Sequence, residues 1–178
     1  MIHTTSKTIF AIEKIMSALK VIFELTKFRL SFLVSFSAIV GFILASDNFI
    51  FIDLLVLGLS GYLVTAASVI NNQILEKELD KKMDRTKNRP LPTNRITKTN
   101  STIISIIFMV IGLVTMTVYF NFTSGLLSLA SLLLYTFVYT PLKKVGPIAV
   151  FVGAIGGIIV YFSILTLEKS GIDDPVGA

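Results

Sequence analysis

The chain has 178 residues, of which 53% are apolar and 15% charged, with a mean hydropathy of +0.81. Soluble domains carry roughly 25% charged residues and reach about 45–50% apolar only with glycine counted, so an ordinary water-soluble globule and a disordered chain are both excluded. The lack of cysteine removes disulfides, thiolate metal sites and a cysteine nucleophile, while a net charge of +5 leaves a membrane surface or nucleic acid as partners.

Residues 9–25 come first. Ile12, Ile15, Met16, Leu19, Ile22 and Phe23 fall at helical spacing, with Glu13, Lys14, Lys20 and Glu24 elsewhere. This predicts an interfacial amphipathic helix, not a cleaved signal or an arginine-rich presequence. Apolar blocks follow at Leu30–Ala45, Ile50–Asn71, Ile103–Phe120, Leu126–Tyr139 and Pro147–Leu167. A bilayer core takes about 20 helical residues. The shorter blocks reach that length through Phe28 and Arg29, or through residues 122–125. The expected fold is all-α: a cytoplasmic or interfacial N-terminus (1–29), a polytopic transmembrane helix bundle of about five spans (30–167), and a short polar tail (168–178).

With the N-terminus cytoplasmic, the inner segments 1–29, 76–102 and 140–146 hold 15 of the 16 basic residues, leaving only Lys169 outside. That asymmetry supports the span count and the orientation. It assigns the positive charge to topology and contact with the lipid bilayer, with no nucleic-acid footprint.

The polar stretch NNQILEKELDKKMDRTKNRPLPTNR (71–95) carries more than a connecting loop needs. Asn72, Glu76, Asp80 and Asp84 are spaced four apart, so on a helix persisting toward Pro90 they form one slowly drifting ridge. Carboxylates at a helix C-terminus oppose the macrodipole, and at i, i+4 they repel each other. Such an arrangement calls for a cation, and hard oxygen donors suit Mg²⁺ shared with phosphates. Arg85, Lys87 and Arg89 follow at once, and arginine offers planar, bidentate donors to phosphate. Together these residues read as a diphosphate site at the membrane surface, within an active-site loop at 72–100. Asp84 is the least certain of the metal candidates, since it could simply pair with a lysine. Tyr135, Tyr139 and Lys143 repeat the four-residue spacing at the inner end of the fourth block. Either they anchor the interface, or Tyr139 and Lys143 line the diphosphate pocket.

Asn72, Glu76 and Asp80 resemble the first acidic motif of the intramembrane prenyltransferase superfamily typified by 4-hydroxybenzoate polyprenyltransferase. The longer string Glu76-x-x-x-Asp80-x-x-Met83-x-Arg85-Thr86-x-x-Arg89-Pro90-Leu91 is similar to its protoheme IX farnesyltransferase (heme O synthase) branch. So are Tyr139-Thr140-Pro141-Leu142-Lys143-Lys144 and the entry ELTKFRLSFLV. The resemblance covers about residues 20–155 and implies a bundle of about nine helices. It also implies Mg²⁺-dependent transfer of a farnesyl group from farnesyl diphosphate to a vinyl group of heme B, giving heme O. A bacterial cell inner membrane and hand-over of the product to a heme A synthase belong to the same expectation. The lone histidine, His3, is not expected to ligate heme.

The family's second acidic motif would fall beyond residue 178. In addition, the stretch after Gly153-Ala154-Ile155 reads Gly156-Gly157-Ile158 where the family is proline-rich. A shortened form of the enzyme is therefore expected, with little or no transferase activity on its own. The alternatives are a prenyltransferase for an aromatic quinone precursor and a non-catalytic membrane scaffold.

Overall fold

The computed structural model describes residues 2–46 and 49–140, with side chains from residue 12 onward except Ala45. Five helices are present among the described residues, and no strand. They are α1 (Ile2–Leu25), α2 (Phe28–Ala45), α3 (Phe51–Asp80), α4 (Lys98–Thr115) and α5 (Phe122–Leu133). The last two continue into π-helical turns at Met116–Phe120 and Leu134–Tyr139, making continuous spans of Lys98–Phe120 and Phe122–Tyr139.

Three of these helices are long and apolar enough to cross a membrane. A fourth span arises if the bent pair Ile12–Leu25 and Phe28–Leu44, at 57° to one another, is counted as one. The first four predicted blocks thus lie within helices of the structure. The fifth, Pro147–Leu167, lies outside the described residues, as does the tail. Many large apolar side chains face outward, among them Leu44, Phe51, Val118 and Phe122. A soluble chain this small could not expose so much apolar surface, but in lipid the outward face is the solvated one.

Helix α3 is the axis of the bundle, packed by α2, α4 and α5. Three apolar tiers run along it. Phe42, Leu57 and Met116 close the end near Phe51; Val64, Ala67 and Leu132 fill the middle; Leu25, Ile70 and Leu91 close the end near Asp80. Apolar burial drives little association inside lipid, so close backbone approach and interhelical hydrogen bonds matter more. At Gly112 of α4, an added Cβ would stand 2.8 Å from Val64 Cγ2 and 3.1 Å from the Ser60 carbonyl oxygen. Ser105 Oγ donates to the Asn71 side-chain oxygen at 2.7 Å, and Tyr119 donates to Asp53 at 2.8 Å. Asp53 also accepts from the Ile50 N–H at 2.9 Å, which caps the start of α3.

The bend between α1 and α2 is built at Thr26–Lys27. Lys27 is left-handed (φ 45°) and breaks the helical path. The buried Gln73 of α3 then donates to the Leu25 carbonyl, fixing the break against the bundle axis. This ties the end of α1 to the residue that follows Asn72.

Candidate active site at the end of the third helix

At 30 residues, α3 is about 45 Å long, whereas the hydrocarbon core is about 30 Å thick. The difference is comparable to the length of its last two to three turns. Those turns carry Asn72, Glu76 and Asp80, and all three are buried. Burial of polar groups at a helix end requires partners. Asp80 finds one nine residues later, where Arg89 Nη1 donates to Asp80 Oδ2 at 2.7 Å; the Asp80 side chain is 4% exposed and that of Arg89 23%. The cation demanded by carboxylates at a negative helix terminus is supplied here in part by the chain itself.

The helix ends at Asp80, well short of the expected approach to Pro90. Thr86 Oγ1 donates to the Asp80 carbonyl at 3.0 Å, taking one of the terminal acceptors that a further turn would have used. Burial of Leu91 against Leu25 and Ile70 then draws the chain back under the bundle. Arg95 staples the return: it donates to the Asn88 carbonyl at 2.8 Å and pairs with Glu24 of α1. Asn94 turns the chain in a left-handed conformation (φ 54°) and accepts from Lys77 at 3.0 Å.

This early ending corrects the sequence reading of Asp84. The ridge stops at Asp80. Asp84 lies on the loop with its side chain 97% exposed and paired to Lys87 at 2.7 Å, so it does not share a face with Glu76. Arg85 is exposed too and stands apart from the buried set. Lys143 lies outside the described residues.

Tyr139 lies in the π turn that ends the fourth span and stacks on Tyr135, with ring centroids 5.1 Å apart and planes at 18°. The π turn that carries both tyrosines packs against α3, the helix of the acidic ridge. The four-residue Tyr–Tyr–Lys spacing marks this face, but it singles out Tyr139 and Lys143 as pocket residues rather than Tyr135. Nothing in the sequence signals the widened turn, a feature frequent at functional sites. Thr86 is a second omission: its part in ending α3 depends on a loop closure with no local pattern.

Among the described residues no group of three or more His, Cys, Asp or Glu side chains could hold a metal ion. Two carboxylates and an amide do fit Mg²⁺, which commonly uses one or two carboxylates and takes its remaining oxygens from water and phosphate. The donor set is all oxygen, and a cationic guanidinium sits beside it.

Residues 34–167 match the UbiA prenyltransferase family. The chain belongs to that family. It is 46% identical over 136 residues to a protoheme IX farnesyltransferase of Cytophaga hutchinsonii, covering 76% of this chain and 48% of the relative. It is 43% identical to the protein of that name from Christiangramia forsetii, covering 76% and 45%, and 35% identical to one from Leptospira interrogans, covering 79% and 51%. The chain thus spans about half the length of these relatives. Among solved structures, a UbiA homolog from Archaeoglobus fulgidus bound to DMAPP and Mg²⁺ superimposes with a TM-score of 0.72 at 20% identity, covering 83% of this chain and 54% of that one. That likeness shows the UbiA fold. The family membership and the apolar helices together identify a membrane protein.

Proposed function

We propose that this UbiA family chain forms the N-terminal half of a heme B farnesyltransferase. The observation that carries the reading is the buried Asn72–Glu76–Asp80 ridge, with Arg89 bound to its last member, at the interfacial end of α3. In the proposal Asn72, Glu76 and Asp80 hold Mg²⁺, which would neutralise the diphosphate and favour its departure. Arg89 donates to diphosphate oxygens, and Arg85 stands at the exposed rim. Tyr139, with Tyr135, walls the pocket on the α5 side, where aromatic faces favour a nearby cation. Lys143 is proposed as a further diphosphate contact. The C1–O bond of farnesyl diphosphate breaks with its electron pair leaving on the diphosphate. The vinyl π electrons of heme B then bond to C1, and water adds at the remaining cationic carbon with loss of a proton, giving heme O. The apolar interior keeps water from the allylic centre until that bond has formed.

Heme as acceptor rests on the names of the relatives, and a bacterial inner membrane with the N-terminus and the 76–102 loop cytoplasmic rests on their bacterial sources and on the placement of basic residues. The test is reconstitution. The chain is co-expressed with the C-terminal half of the Cytophaga hutchinsonii relative, and membranes are supplied with farnesyl diphosphate, heme B and Mg²⁺. Heme O forms with both halves and is at background with this chain alone. If the paired halves instead prenylate a quinone precursor and leave heme B untouched, the acceptor assignment is wrong.

A further inference from the structure

A groove of about 510 Å³ lies between α1, the last residues of the loop and the first turns of α4. It shares no residue with the Asn72–Glu76–Asp80 ridge. One part of its lining is polar, with Lys14, Arg95 and Asn100; another is apolar, with Val21, Ile22 and Ile104. The groove sits where α4 begins, at Lys98, and passes within two turns into the outward-facing Ile103, Ile106 and Ile107. With the 76–102 loop on the cytoplasmic face, as proposed above, it spans the border between headgroups and acyl chains.

We infer that this groove binds one anionic phospholipid, its phosphate at Lys14 and Arg95 and the start of an acyl chain along Ile22 and Ile104. Charge complementarity favours a negative headgroup over a zwitterionic one. Arg95 is already oriented by Glu24, Thr93 and the Asn88 carbonyl, so a ligand need not order it. Glu24 offsets much of the Arg95 charge. Among the described residues no carboxylate lies within 4.0 Å of the Lys14 ammonium, so Lys14 supplies the net positive charge. The apolar wall accounts for the second requirement, because a free phosphate would leave it wet. Juxtamembrane basic residues attract anionic lipid generally; what is particular here is a groove whose lining combines basic and apolar side chains.

The test is native mass spectrometry of the 178-residue chain released from neutral micelles doped with phosphatidylglycerol or phosphatidylcholine. One phosphatidylglycerol is retained per chain, at least about fivefold more than phosphatidylcholine. Lys14→Gln lowers retention at least about fivefold, whereas Lys82→Gln, removing the same charge from an exposed site off the groove, leaves it unchanged. Ala18→Phe, which fills the groove without altering charge, also lowers it. Equal retention of the two lipids, an equal loss in the Lys82 variant, or unchanged retention in Ala18→Phe overturns the site. Competition by inorganic phosphate at equal potency shows that the anion alone is recognised, and likewise overturns the lipid assignment.

Discussion

Arg89 reaches back nine residues to place its guanidinium 2.7 Å from the carboxylate of Asp80, at the terminus where the dipole of α3 is least hospitable to negative charge. The pair holds the loop against the helix end. Replacing Arg89 by Ala leaves Asp80 uncompensated and costs about 1–3 kcal/mol, between the ranges for exposed and buried pairs. Arg89→Lys restores part of this, since an ammonium keeps the charge but lacks the planar fork. Unfolding of the purified chain in micelles measures both, and an unchanged midpoint in Arg89→Ala would show the pair to be energetically idle.

Metal dependence separates the two acidic positions. Asp80→Asn and Glu76→Gln weaken Mg²⁺-dependent binding of inorganic diphosphate by about a hundredfold, because loss of a mere outer partner of a metal ligand already costs about 10–100-fold. Asp84→Asn leaves it unchanged, as expected for an exposed carboxylate paired with Lys87. Titration calorimetry with and without Mg²⁺ gives the comparison, and equal losses at positions 80 and 84 would return Asp84 to the site.

Gly112 tests the contact between α3 and α4. A Val side chain there meets Val64 and the Ser60 carbonyl oxygen, and the latter is backbone that cannot rotate away. Gly112→Val is expected to destabilise the bundle by about 1–3 kcal/mol, seen as a lower unfolding temperature with helix content retained.

Ser105 tests the support beneath the site. Its hydroxyl holds Asn71, the residue preceding Asn72, and the Ala67 carbonyl. Ser105→Ala should cost about 0.6–1.5 kcal/mol, the range for interhelical hydrogen bonds in membranes, and weaken diphosphate binding less than Asp80→Asn does. An effect as large as that of Asp80→Asn would mean that Ser105 contacts the ligand.

Sequence patterns made the spans and the Asn72–Glu76–Asp80 ridge legible because both depend on local periodicity. Four predicted blocks fall within helices, and residues 9–25 lie within α1. Where the sequence misled, a contact between distant residues decided the outcome. The i, i+4 rule carried the ridge on to Asp84, but the Thr86 hydroxyl and the burial of Leu91 end the helix a turn earlier. Arginine after the acidic run pointed to an anion, and no spacing rule told Arg85, left exposed, from Arg89, folded onto Asp80. Tyr135 lies in a π turn, which leaves no compositional trace.

The excess length of α3 acts as a depth gauge. Its first turn is tethered by Asp53 to Ile50 and Tyr119, so the number of residues between Asp53 and Asp80 sets how far the acidic groups stand from that tether. If the proposed function holds, a ligand with a charged head and a long apolar tail docks sideways from the leaflet, its head kept in the interface and its tail in the oil.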